Sequence, residues 1–311
     1  VPLGTLTTGI LQMNAQFESE TSPTPASGDL RRRDFVAATV ATGVAATALP
    51  AAAAAPAVIE KNVTITTPDG TCDAAYFHPA TGKHPAVVIW TDAFGLRPSM
   101  RDMGRRLAAD GYAVLVPNPF YRVGKGPFYE TAAGVDFKDK ATFEKIGPLM
   151  GSIGAPGAAE KDAVEFVKFL DAQPEVDTAR KIGTQGYCMG GALVLRTAAA
   201  VPERVGAGAS FHGGGLVTDK LDAPYTLAPK IRARLLIAIA GSDDDKQPDA
   251  KVVLRKAFDD AHVPARVEVF AEQHGWCVPD MPMNDGKPIY NRADAERAWS
   301  ELLALYKSAL G

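Results

Sequence analysis

The hexapeptide Gly186-Tyr187-Cys188-Met189-Gly190-Gly191 constrains this chain more than any other stretch. It follows a short strand candidate, Lys181-Gln185, and leads into an apolar helix candidate, Ala192-Ala200, so Cys188 falls at a sharp strand-to-helix turn. Gly186 and Gly190 flank that turn where a side chain would collide with the neighbouring strand or helix, which lets a nucleophile stand in a strained backbone. The helix that follows points its free N–H groups at the same place, where they favour a thiolate and a developing oxyanion. A Gly-rich turn around a small buried cysteine would look similar, so partners elsewhere in the chain must decide.

The chain around this turn is an ordinary globular one. Its 311 residues are 46% hydrophobic and 22% charged, with a net charge of −3, and nothing in that balance points to a nucleic acid or a polyanion as partner. The three cysteines are too few for a disulfide framework. One bridge, Cys72 to Cys277, could form while leaving Cys188 free. No Cys or His pair has zinc-site spacing, so no metal site is expected.

Residues 1–55 read differently from the rest. Val1 to Leu30 is polar, without sustained periodicity, and is expected to be disordered. Arg31-Arg32-Arg33-Asp34-Phe35-Val36 then precedes a weakly apolar run to Leu49 and an alanine stretch to Ala55. This resembles a twin-arginine export signal with an A-x-A cleavage region, and implies a periodic-patterned domain over 56–311 that is delivered to the periplasm or secreted. The run is too short and too Ala/Thr-rich for a membrane span of about 20 apolar residues.

From Val58 onward strands and helices alternate. Asn62-Thr67 and Asp73-Phe77 read as an antiparallel hairpin around Pro68-Asp69-Gly70. Ala86-Trp90, Tyr112-Val116, Arg204-Phe211, Leu235-Ala240 and Arg266-Phe270 are strand candidates. Met100-Ala109, Ala158-Gln173, Asp249-Ala261 and Arg292-Leu310 are helix candidates. That alternation predicts an α/β fold with a mostly parallel central sheet, helices on both faces and an N-terminal antiparallel hairpin. Asn118 to Gly157, rich in Gly, Pro, Phe and Lys, is irregular apart from a short helix candidate at Lys138-Ile146. It is expected to be a lid or substrate-binding excursion.

A nucleophilic cysteine needs a base, and the base an orienting acid, at strand ends where loops converge. His274 lies just past the last strand candidate, in Glu272-Gln273-His274-Gly275-Trp276, and is the expected base. His78 and His84 flank the early hairpin, His262 lies at the far end of the sheet, and His212 follows the strand after the elbow. The acid is expected after Leu235-Ala240, within Gly241-Ser242-Asp243-Asp244-Asp245-Lys246-Gln247-Pro248. The chain order nucleophile, acid, histidine is met by Cys188, then Asp244 or Asp243, then His274.

With these sites in place, residues 60–310 resemble the dienelactone hydrolase family of the α/β-hydrolase superfamily. The resemblance is carried by Trp90-Thr91-Asp92-Ala93-Phe94-Gly95-Leu96, Gly111-Tyr112-Ala113-Val114 with Pro117-Asn118-Pro119, the Cys188 hexapeptide, Gly241-Ser242-Asp243-Asp244 with Pro248, and His274-Gly275-Trp276. It implies a cofactor-independent hydrolase of a small carboxylic ester or lactone. The family's G-x-x-D spacing, four residues before a proline, selects Asp244 over Asp243. Its oxyanion donors correspond to the main-chain N–H groups of Met189 and Ala93. A family glutamate that contacts the resting cysteine corresponds to Asp92, and one arginine that holds the substrate carboxylate corresponds to Arg122. A thioesterase, a peptidase or a general carboxylesterase would share the catalytic residues. A thiol-redox protein would instead pair Cys188 with Cys277, and a binding module would have no use for the three residues together.

Overall fold

The computed structural model describes residues 57–311; the expected disorder and export signal of residues 1–55 lie outside the described residues. The hairpin is longer than its alternation indicates: β1 (Val58–Thr67) pairs with β2 (Gly70–Pro79) along its whole length. Then follow β3 (Ala86–Trp90), α1 (Pro98–Ala109), β4 (Ala113–Pro117), α2 (Lys140–Gly154), α3 (Ala158–Asp171) and β5 (Ile182–Tyr187). The chain continues through α4 (Met189–Ala200), β6 (Val205–Phe211), β7 (Arg234–Ala240), a single helical turn α5 (Gly241–Asp244), α6 (Ala250–Asp260), β8 (Ala265–Phe270) and α7 (Arg292–Ala309).

The eight strands form one sheet in the order β1-β2-β4-β3-β5-β6-β7-β8. β1, β2 and β4 run antiparallel to their neighbours in the hairpin part, and β4, β3 and β5 to β8 are parallel. The five residues of β3 and those of β4 are all buried, as continuous apolar runs flanked by helices on both faces require. One face is covered by α3, α4 and α6, whose Phe166, Leu170, Leu193, Val194 and Phe258 pack in one core. The other is covered by α1 and α7, through Met100, Leu107, Trp299, Leu302 and Tyr306. This is the α/β-hydrolase arrangement expected from the sequence.

The topology positions the site. The chain leaves β3 for β4 on one side and returns to β5 on the other, so a crevice opens at the C-terminal ends of β3 and β5, where open α/β sheets bind ligands. The excursion also differs from expectation. Its helix α2 extends to Gly154, past Gly147 and Pro148, because Ile146, Leu149 and Ile153 repeat at helical spacing and are buried. Burial of that stripe outweighs the poor helix propensity of the two breakers.

Candidate active site

Cys188 sits between β5 and α4 with φ 53° and ψ −115°, a backbone conformation that costs energy for any side chain. The packing that enforces it is visible at the glycines. A Cβ on Gly186 would run into the carbonyl oxygen of Gly190, and one on Gly190 would stand 2.5 Å from the Trp90 carbonyl oxygen and 2.6 Å from that of Thr91. The turn is therefore closed against both its own helix and the end of β3. The Cys188 N–H is shared between the Phe211 carbonyl and Nδ1 of His212, both at 3.1 Å.

The same close approach brings the segment after β3 alongside the start of α4. Phe94 N–H turns back on Asp92 Oδ1 at 3.0 Å and Gly95 N–H on the Asp92 carbonyl at 3.1 Å. The N–H groups of Ala93 and Met189 have no hydrogen-bond partner among the described residues. Two unpartnered donors beside a nucleophile are what an oxyanion site needs.

His274 follows β8. Its N–H donates to Ser242 Oγ at 2.9 Å, and its Nδ1 lies 2.6 Å from Asp243 Oδ2. The carboxylate on the histidine is thus that of Asp243, whereas the spacing to Pro248 favours Asp244. The reason is local geometry. After β7 the chain turns at once into α5, where consecutive side chains diverge by about 100°. Asp243 faces the loop after β8, and Asp244 faces α6, where Lys251 Nζ donates to its two oxygens at 2.8 and 2.6 Å.

Burial disfavours a charged imidazole at His274, but the adjoining Cys188 and Asp243 outweigh it and push the pKa up to about 10. The imidazolium form of His274 is therefore favoured by both neighbours. His212, wholly buried, is the opposite case: burial, and then the charge of His274, hold its pKa well below the ordinary imidazole value. Its ring is neutral, accepts at Nδ1 from Cys188 and stands 4.9 Å from the His274 ring, edge to face. The sequence offers only its place after β6 as a sign of this.

Asp92 and Arg122 are engaged elsewhere. Asp92 is buried and held by Arg97, whose Nη1 and Nη2 donate to its two oxygens at 2.7 and 2.9 Å; no hydrogen bond joins it to Cys188. Arg122 donates to both oxygens of buried Asp162, at 2.8 and 2.7 Å, and to Asp69 in the β1–β2 turn at 2.8 Å. With its guanidinium stacked 4.5 Å from the Tyr121 ring centre, it ties the hairpin to α3 and does not line the cavity beside Cys188. The sequence cannot foresee these partners, which are distant in the chain.

The three cysteines are all free. Cys72 and Cys277 pack in the cores on opposite faces of the sheet, so the bridge that the sequence allows does not form. Cys277 faces a small cavity of about 120 Å³ between α1 and α7, and burial raises its thiol pKa well above the usual value. It is a buried core residue, and its sulfur is free. Among the described residues no cluster of His, Cys, Asp and Glu could hold a metal ion, and no helix is long and apolar enough to cross a membrane.

A parallel sheet with a cysteine at the strained β5–α4 turn, and with histidine and aspartate on the loops after β8 and β7, defines a hydrolase of the α/β-hydrolase superfamily. The model of the dienelactone hydrolase family matches residues 72–310, and the chain belongs to that family, whose members act on ester and lactone bonds. It is 32% identical over 138 residues to a carboxymethylenebutenolidase of Rhodococcus opacus, covering 44% of this chain and 48% of that one. A Methylorubrum extorquens protein assigned as a carboxymethylenebutenolidase is 27% identical over 307 residues, 92% of this chain and 96% of its own. Among solved structures, m3DLH superposes with a TM-score of 0.67 at 25% identity, over 82% of this chain and 99% of that one. The dienelactone hydrolase-like promiscuous phosphotriesterase P91, from metagenomic libraries, has the same fold, with a TM-score of 0.66 at 24% identity over 82% of this chain and all of its own.

Proposed function

We propose that the protein hydrolyses a carboxylic ester or lactone through an acyl-enzyme on Cys188, with His274 as the proton carrier and Asp243 as its orienting acid. The observation that carries this reading is geometric: Cys188 stands at the strained β5–α4 turn, and His274 Nδ1 lies 2.6 Å from Asp243 Oδ2, an arrangement in which both neighbours raise the pKa of His274. In the reacting form the Cys188 thiolate faces the His274 imidazolium. The sulfur attacks the carbonyl carbon while the N–H groups of Met189 and Ala93 receive the oxyanion. His274 then gives its proton to the departing alkoxide, the thioester forms, and the now neutral imidazole takes a proton from the water that cleaves it. Asp243, on Nδ1, fixes the tautomer that leaves Nε2 toward the reaction.

The test is turnover of a dienelactone, a nitrophenyl ester and a thioester by wild type and Cys188→Ala, with mass spectrometry of wild type quenched during turnover. The expected result is an acyl adduct on the peptide bearing Cys188, and loss of all turnover in a variant that keeps its circular dichroism. A folded Cys188→Ala that still hydrolyses the preferred substrate would overturn the assignment.

We propose in addition that residues 1–55 direct export by the twin-arginine route, a reading supported by Arg31-Arg32-Arg33-Asp34-Phe35 and the weakly apolar run behind it. Replacing the arginines with lysine should leave the protein in the cytoplasm; unchanged export would refute it.

A further inference from the structure

A cavity of about 440 Å³ opens beside Cys188, and it has one chemistry in its middle and another at its far end. Its floor is a face of α4. Met189, Ala192, Leu193 and Arg196 recur at helical spacing along it, so the distance from Cys188 to Arg196 is about 12 Å at 1.5 Å per residue. The opposite wall comes from the excursion, whose α2 supplies Met150 and Ile153, and from Ala159 at the start of α3. Between nucleophile and Arg196 the lining is thus aliphatic.

The far end is ionic but balanced. Arg196 Nη1 donates to Glu160 Oε1 at 2.7 Å, and Nη2 donates to the Asp222 carbonyl at 2.9 Å and lies 3.4 Å from its carboxylate. With Lys220 beside them, two cations stand against two carboxylates. Arg196 is already committed, and Arg122 lies outside the cavity, so a substrate carboxylate would find no net positive charge here.

The orientation of substrate follows from the proton carrier. Neither His274 nor Asp243 lines this cavity. A leaving alkoxide must meet His274 to be protonated, so it departs on the other side of the sulfur, and the cavity receives the part that stays bonded to it. We propose that this cavity is an acyl-chain groove, and that the preferred substrates are esters of an uncharged, unbranched acyl group of medium length. This rests on the ester-hydrolase reading of Cys188. It also gives the excursion its purpose, as the wall that converts a surface crevice into a groove.

The experiment uses nitrophenyl acetate, hexanoate, octanoate and palmitate, and the octanedioate monoester, with the whole protein and with Ala192→Phe. Each methylene buried contributes a factor of about four, so with six more of them kcat/KM should rise by roughly a thousandfold or more from acetate to octanoate and fall again at palmitate. Ala192→Phe, which places a ring across the groove one turn beyond the nucleophile, should lower the octanoate-to-acetate ratio by about tenfold or more.

Chain-length dependence is read separately by labelling Cys188 with methyl and octyl methanethiosulfonate, in which the thiolate forms a disulfide with the alkylthio group and methanesulfinate leaves. Faster octyl than methyl labelling, lost in Ala192→Phe, supports the groove even if no ester is turned over, an outcome that would remove the hydrolase reading alone. Equal turnover of acetate and octanoate, equal labelling by the two reagents, or preference for the octanedioate monoester over octanoate would each overturn the groove and leave hydrolysis at Cys188 standing.

Discussion

Arg97 donates from Nε and Nη2 to the two oxygens of Asp280, at 2.8 Å each, while Nη1 and the same Nη2 close on Asp92. Asp92 precedes Ala93, one of the two candidate oxyanion donors, and Asp280 lies six positions beyond His274. Asp280 also accepts from the Ala132 N–H at 3.0 Å and, at 3.3 Å, from Thr131 in the excursion. One guanidinium with no exposed side-chain surface therefore ties together the loop after β3, the loop after β8 and the segment that walls the groove.

Removing Arg97 strands two carboxylates in a largely buried setting. Arg97→Met should destabilise the domain by roughly 3–5 kcal/mol, the cost of breaking a buried pair from one side. Arg97→Lys should recover part of it, since an ammonium supplies the charge but not the planar fork. Urea unfolding of the three proteins measures both. A loss below about 1 kcal/mol for Arg97→Met would mean that Asp92 and Asp280 find water or protons instead, and that the guanidinium does not hold the loops.

The neighbouring aspartates of α5 differ in role by direction alone. Asp243→Asn removes the anion on His274 Nδ1 and should lower kcat on the order of a hundredfold or more. Asp244→Asn loosens only the partly exposed pair with Lys251 and should change kcat by no more than about threefold. Steady-state turnover of the two variants on one ester decides it, and the reverse ranking would reinstate Asp244 as the acid.

That pair shows where reading a sequence stops. Sheet, helices and elbow were legible because they rest on local patterns: unbroken apolar runs for β3 and β7, helical spacing in α3 and α7, and two glycines around Cys188. His274 was legible from its place after the last strand. Asp243 was not, because adjacent carboxylates differ only in where one helical turn points them, which no spacing rule encodes. The engagement of Arg122 and the role of Arg97 are hidden in the sequence for a common reason. Their carboxylate partners Asp162 and Asp280 lie 40 and 183 residues away, and only the fold brings them together. His212 looked like a strand-end residue, and its bond to the Cys188 N–H depends on the register of β6 against β5.

The elbow makes a sharp steric prediction. Gly186→Ala would press a methyl group against the Gly190 carbonyl, which is backbone and cannot swing aside. The helix must shift, carrying Met189 N–H and Cys188 with it. Overpacking of this kind should cost roughly 1–3 kcal/mol in stability and remove most turnover. Gly214→Ala, whose added Cβ meets nothing within 4 Å, is the control and should be near wild type in stability. Equal stability of Gly186→Ala and wild type would show the turn to be looser than its contacts indicate.

The raised pKa of His274 has consequences for both activity and stability. In the unfolded chain an imidazole gives up its proton near pH 6.5, whereas in the folded protein His274 keeps it until about 10. Across that interval the native state binds a proton that the unfolded state lacks, so this contribution to stability is complete below pH 6.5 and is lost as pH rises toward 10. The urea midpoint of wild type should therefore fall between pH 7 and 9.5, and Cys188→Ala, which removes the first of the two groups holding the proton, should show a shallower fall. Turnover should share the upper limit, because a neutral His274 has no proton for the leaving alkoxide: kcat/KM is expected to decline above about pH 10. Asp243→Asn should move that decline to lower pH. A profile whose upper limb ignores both the wild-type value and the substitution would remove His274 from the role of acid.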